Sequence, residues 1–372
     1  MTRIALQDVA TIHGGGRLKL SGNDFIPAGV SAYGAGGQNG FVATAEYDDR
    51  EAVILSSIGA RCGKCFHVHG AWTSLANTQV ILPDPAKVDA RFLWYQLNDE
   101  RRWPRSGSAQ PFIKPSDVKI HSVWLPSLDE QRRIATMLDQ ADALRAKRRQ
   151  TLAHLDELPR SVFLDMFGRT SWPMTTVEEI TSGEKGTIRT GPFGSQLLHS
   201  EFADEGIAVL GIDNVVTNRF RWSERRYITP EKYEKLKRYT VAPGDVLITI
   251  MGTCGRCVVV PDHIPAAINT KHLCAITVDP EKALPEFIRA CFLWHPESRR
   301  HLLRRAKGSV MDGLNMGIIR DMPVPLAALD LQVDLVRRLR AVESHREVIA
   351  SADADVARLF DSLQQRAFSG AL

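Results

Sequence analysis

The sequence predicts a mixed α/β (α+β) fold: two globular domains separated by a pair of long antiparallel coiled-coil helices, related by an internal pseudo-two-fold repeat. Three observations lead to it. The stretch from Gly107 to Phe167 is matched without a gap by Gly308 to Phe368. Each copy ends in a long run with apolar residues at helical spacing, and each begins with short β-rich runs broken by Gly and Pro.

The repeat is carried by identities at one constant offset, among them Val123/Val324, Leu128/Leu329, Asp129/Asp330, Gln131/Gln332, Leu138/Leu339, Arg145/Arg346, Leu158/Leu359 and Phe167/Phe368. Further back the match is weaker and shifts by small insertions. It pairs Cys62-Gly63-Lys64-Cys65 with Cys254-Gly255-Arg256-Cys257, Asn77-Thr78 with Asn269-Thr270, and Phe92 with Phe287. Two copies of one unit in one chain imply approximate two-fold symmetry, which suits a two-part target. The expected divisions are 1–125 and 172–325 for the globular domains, and 126–171 and 326–372 for the helices.

With 372 residues, 44% apolar and 24% charged, the chain can bury more than one core. The N-terminus lacks a secretory apolar core, and no apolar run approaches the ~18 residues of a membrane span, so a cytoplasmic location without membrane contact is expected. Six cysteines in such a chain read as reduced thiols.

Taken in chain order, Tyr33 to Gly40 reads as a glycine-rich loop, Ala52 to Ile58 and Gln79 to Leu82 as strands, and Asp89 to Leu97 as a helix. Asp129 to about Glu157 has Ile134, Leu138, Leu152 and Leu155 at steps near three or four, one long amphipathic helix that Pro159 should kink or restart and Gly168 should end. The second half repeats the pattern: a loop over Arg189 to Gln196, strands over Val246 to Ile250 and Leu273 to Val278, and a helix from Leu284 to Trp294. Its long helix carries Leu335, Leu339, Val356 and Leu359 and ends near Phe368. Each long helix of roughly 38 residues would extend about 57 Å at ~1.5 Å per residue. Neither narrow stripe is stable alone in water, so these eight apolar residues are expected to pack the helices together.

The net charge of +4 is small, so contact with a polyanion must come from local clusters. Two basic runs, Arg101 to Arg105 and Arg299 to Lys307, lead into the matched Gly-Ser. The chemistry-bearing residues lie in loops: Tyr33, Gln38, Asn39, Arg61, Lys64, Arg105 and Gln110 in the first half. In the second they are Arg189, Phe193, Gln196, Arg219, Lys271, His272, Lys307 and Asn315, with Arg221, Arg225 and Arg226 beside them. Arg, Asn and Gln read base edges bidentately, while Lys and backbone amides hold phosphates. No Walker loop, Gly-x-Ser-x-Gly elbow or His-Glu-x-x-His helix occurs, and no catalytic constellation is found. The paired Cys-x-x-Cys motifs read as Gly-containing strand turns. A zinc or redox protein using Cys62, Cys65, Cys254 and Cys257 is one competing reading, and a coiled-coil scaffold without DNA contacts is another.

Leu128-Asp129-Glu130-Gln131-Arg132-Arg133-Ile134, opening a helix that ends Leu158-Pro159-Arg160-Ser161-Val162-Phe163 to Met166-Phe167-Gly168, resembles the central conserved region of type I restriction-modification specificity subunits. Leu363 to Gly370 is similar to that family's distal conserved region, and Gly107-Ser108 to Ile113 and Thr190 to Leu197 also look like family patterns. The second copy departs at Leu331 and lacks the arginines that follow. The resemblance implies two target-recognition domains, each reading one half of a bipartite sequence in double-stranded DNA, with the helix pair as a ruler across an unread spacer. It also implies a chain with no catalytic centre, metal or cofactor of its own. S-adenosylmethionine would belong to two adenine-modifying partner subunits, and ATP and Mg to translocating restriction subunits.

Overall fold

A computed structural model describes residues 3–107, 109–168, 172–222, 225–306 and 313–369. The chain divides into two compact units, one of Met1–Gln150 with Ala350–Leu372 and one of Thr151–Ile349. Mixed α/β architecture is present in both.

In the first unit Ala10–Gly14, Thr78–Pro83, Ala52–Ser56 and Cys65–Val68 lie in that order as an antiparallel sheet. Ala52–Ser56 is buried on both faces, which explains its unbroken apolar run. Val53 and Leu55 face a core with Phe92 and Leu93 of the helix Ala90–Leu97, while Ala52 and Ile54 face Val68, Trp72 and Val80. Asp89 caps that helix by accepting from the Phe92 amide. A second sheet runs Phe25–Ile26, Gly37–Val42, Val30–Gly34 and Trp72–Ser74, its last pair parallel.

The second unit repeats this layout. Ile188–Thr190, Leu273–Ile276, Val246–Thr249 and Cys257–Val259 form the antiparallel sheet. The other sheet is Tyr227–Ile228, Ile207–Leu210, Ala267–Asn269 and Thr240–Val241, with Ile207–Leu210 parallel to Ala267–Asn269. Pro285–Trp294 stands where Ala90–Leu97 stands in the first unit.

The long helices are Leu128–Phe167 and Leu329–Ser369. In each unit the opening turns of one share a core with the closing turns of the other. Ile134 and Leu138 lie with Phe360, Ala367 and Phe368 in the first unit, and Leu335 lies with Phe163 and Phe167 in the second. The exchange is reciprocal: the Phe92 ring sits 5.5 Å from Phe368, and the Phe287 ring 5.2 Å from Phe167. Each repeat therefore completes its core with the end of the other repeat's helix.

Four expectations are corrected. Tyr33 to Gly40 is a hairpin rather than a loop, because its glycines serve packing: a Cβ on Gly37, whose φ is 104°, would lie 3.1 Å from the Phe66 ring. Arg189 lies in a strand, and only the residues after Thr190 form a loop. The first long helix is one element through Pro159, which removes the restart from the kink-or-restart expectation, and its last turns are anchored by buried Phe163 and Phe167. Leu359 is 67% exposed, since Phe360 takes the inward position at a 4.3 Å cation–π contact with Arg145. Ile134, Leu138 and Leu335 are fully buried, whereas Leu152, Leu155, Leu339 and Val356 are half-buried.

Candidate nucleic-acid interface

The register of the antiparallel sheet places three loop attachments at one end in the first unit, since Ser56 pairs with Thr78, Gly14 with Gln79 and Leu55 with Cys65. Beyond that end lies the turn Gly59 to Lys64. Arg61 Nη1 donates to the Gly36 carbonyl at 2.9 Å and ties this turn to the tip of the hairpin. The Gly59 amide donates to the Pro111 carbonyl at 3.0 Å and ties it to the loop of Gln110. The structure thus gathers Gln38, Asn39, Arg61, Lys64 and Gln110, with Tyr33 half-buried behind the hairpin. Arg105 lies next to Gly63 but pairs with Glu100 at 3.3 Å, and Arg101 and Arg102 pair with Asp99, so the first basic run is largely neutralised locally.

The same end of the second sheet is marked by Thr249 opposite Leu273 and Thr190 opposite Cys274. Gly191 is required there: a Cβ would lie 2.0 Å from the Asn269 carbonyl oxygen. That approach sets the loop of Phe193, which is 48% exposed, against the loop of Lys271 and His272. The Ile250 amide donates to the His272 carbonyl and the Leu314 amide to the Ile250 carbonyl, bringing in exposed Asn315. Asn315 also caps Met316–Arg320 by accepting from the Ile318 amide. Burial and the neighbouring Lys271 lower the His272 imidazole from its ordinary value, so the ring is neutral at neutral pH.

Two candidates do not join this surface. Arg189 turns inward to a buried ion pair with Asp245 and donates to the Thr240 carbonyl, which is the work of a core strut. Arg219 bonds Asp156 and Glu343 at 3.1 Å each, holding its segment to the helix turns of the same unit. Gln196 stays exposed in the loop of Phe193, its amide oxygen accepting from the Phe193 amide and the Tyr239 hydroxyl. Arg225 lies over the Trp222 ring, Arg226 pairs with Asp213 at 3.5 Å, and Lys307 falls outside the described residues. Exposed Met251, in the turn after Val246–Thr249, and exposed Phe112, bridged to Ile58 just beyond Ala52–Ser56, escaped the sequence reading. The alignment of Met251 with Gly59 was the available signal.

The cysteines form turn walls. Cys62 Sγ donates to the Ser57 carbonyl and Cys65 Sγ to the Leu97 carbonyl, each at 3.4 Å. Burial pushes both thiols up and that of Cys257 to about 12, so none is a ready thiolate. Among the described residues no group of three His, Cys, Asp or Glu is arranged to hold a metal, and no helix is long and apolar enough to cross a membrane.

Residues 1–154 match the family model described as the type I restriction modification DNA specificity domain. The chain is 21% identical over 321 residues to the type I restriction enzyme MjaVIII specificity subunit of Methanocaldococcus jannaschii, covering 80% of this chain and 73% of that one. It is 24% identical to the EcoBI specificity subunit of Escherichia coli and 25% to the EcoKI specificity subunit of Escherichia coli K12. Those matches cover 67% and 70% of this chain, and 58% and 60% of the relatives' own length. The fold is similar to the type I restriction-modification S subunit from M. genitalium, with a TM-score of 0.61 at 16% identity over 99% of this chain and 96% of that one. It is also similar to a chain from a study of assembly and conformational transition in the type I system, with a TM-score of 0.63 at 14% identity over 100% and 98%.

Proposed function

We propose that this chain is a non-catalytic type I restriction-modification specificity protein, with its DNA specificity domain matched over residues 1–154, and that it reads a bipartite target in double-stranded DNA, one half with each unit. The observation that supports this most directly is the duplicated loop cluster at the matched end of two sheets of the same topology. Gln38, Asn39, Arg61 and Lys64 in one, and Phe193, Lys271, His272 and Asn315 in the other, offer bidentate donors, planar groups and cations of the kind that read base edges and hold phosphates. The cysteine turns, with thiols bonded to backbone carbonyls, supply no support for zinc or redox work.

In this reading the chain docks modification subunits, two in number, which methylate adenine with S-adenosylmethionine, and restriction subunits that use ATP and Mg, all in the cytoplasm. The helices act as a ruler between half-sites. Deleting one heptad from each removes about 10 Å of helix at ~1.5 Å per residue, or about three base pairs at ~3.4 Å each. The test is methylation-sensitive sequencing of host DNA carrying the native or the shortened gene. A spacer shortened or abolished supports the ruler, and an unchanged spacer removes it.

A further inference from the structure

Within the second unit a cleft of about 620 Å³ opens between the edge strand Cys257–Val259, the helix Pro285–Trp294, the segment around Arg221 and turns of the long helices. Arg289 lies in its wall. Its Nη2 donates to the Asn218 carbonyl at 2.6 Å, its Nε donates to the Cys257 carbonyl at 3.3 Å, and its guanidinium stands 5.9 Å from the Trp294 ring. Among the described residues no carboxylate bonds it.

The first unit shows that the fold does not need this charge. At the matching position Trp94 donates its indole N–H to the Cys65 carbonyl at 3.0 Å, the same task performed by a neutral group. A half-buried cation held only by neutral carbonyls is costly unless something anionic meets it. The obvious carboxylates of the cleft are already taken: Asp156 by Arg219 and Arg346, Glu343 by Arg219, and Glu286 by Arg340. A second guanidinium, Arg221, lines the cleft, exposed and without a side-chain partner among the described residues, and of the lining acids Glu347 alone has none among them. Burial lowers the Arg289 guanidinium from its ordinary value, and the Glu343 and Glu286 carboxylates, which do not bond it, oppose this only in part.

We propose that this cleft binds a phosphate-bearing ligand, with Arg289 and Arg221 donating to the phosphoryl oxygens and Leu293 and Trp294 receiving its apolar body. Guanidinium forks match phosphate geometry, and the aromatic and aliphatic walls suit a nucleoside. The phosphate belongs either to a free nucleotide or to a nucleic-acid backbone, and the site stands independently of how the loop clusters read bases.

Titration calorimetry on the full chain with adenosine 5′-monophosphate, and with adenosine as the uncharged control, tests the free ligand. The monophosphate is expected to bind once per chain and adenosine about tenfold or more weaker. Arg289→Met and Arg221→Gln should each weaken binding by about tenfold, and Glu347→Gln should strengthen it. Arg221 is exposed, so its variant remains informative where Arg289→Met fails to fold. If the monophosphate does not bind, the second arm measures duplex DNA affinity against salt. A slope reduced by about one in Arg221→Gln assigns the phosphate to nucleic acid. No monophosphate binding together with an unchanged slope overturns the proposal, as does monophosphate binding that neither arginine variant alters.

Discussion

In the first unit Arg91 of the short helix donates to Asp139 of the long helix at 2.6 Å, while the aligned positions in the second unit carry Glu286 and Arg340, which pair with the charges reversed. A few residues away, Gln96 clamps the backbone of Trp124 through both ends of its amide. Its counterpart is Cys291, and the counterpart of Trp124 is Pro325, which has no N–H to satisfy. Gln131 and Gln332, by contrast, are unchanged. Gln131 accepts from the Asp89 amide and donates to the Lys87 and Pro126 carbonyls, and Gln332 does the same with Leu284, Lys282 and Ala327. The ion pair persists with its charges exchanged, and the Gln96 clamp is lost where proline leaves no N–H to hold. The glutamine persists where its side chain meets the same three backbone groups in both copies.

The largest effect should come from the unchanged pair. Gln131→Leu or Gln332→Leu strands buried backbone groups in either unit and should cost about 2–3 kcal/mol, read from urea unfolding. Similar losses at both positions sustain the equivalence, and a neutral result at one breaks it. The reversed pair offers a sharper but smaller test. Asp139→Arg should destabilise by about 1 kcal/mol, since the pair is partly exposed and screened. Adding Arg91→Glu should restore most of that loss by copying the second unit. Failure of the double variant to recover would mean that the Tyr95 hydroxyl bonded to Asp139, which aligns with Ala290, makes this side irreversible.

The smallest effect concerns pH. His67, His121 and His295 are all lowered by burial, with Arg91 adding to the effect at His67. Each is neutral in the fold while the unfolded chain takes up a proton near its ordinary 6.5. Stability from these groups is therefore present above about 6.5 and is lost as pH falls below it. His67→Gln should flatten this dependence in thermal melts between pH 7 and 5, and an unaltered slope would contradict the assignment.

The long helices, the two short helices and the central strands were legible because each carries its period or an unbroken apolar run over enough residues. Ala52–Ser56 and Val246–Thr249 are the clearest of these, being buried on both faces. The hairpin Val30–Gly34 with Gly37–Val42 was not legible, because its glycines answer to the Phe66 and Phe25 rings rather than to local propensity. Leu359 sits off the buried stripe because Phe360 occupies it, a choice that one helix's spacing cannot reveal. Among the proposed contacts, the fates of Arg189 and Arg219 depended on carboxylates at Asp245, Asp156 and Glu343, far away in sequence. Loop composition identifies donors, but only the fold shows which have already been spent on the protein itself.

The central proposal is that the units are equivalent but independent readers of a split target. The most direct measurement is the adenine-methylated motif, by methylation-sensitive sequencing, in a strain whose chain carries Gln38→Ala, Asn39→Ala and Arg61→Ala in the first loop cluster alone. The account predicts that one half of the motif becomes degenerate or is lost while the other half keeps its sequence. A motif altered in both halves, or in neither, would contradict it.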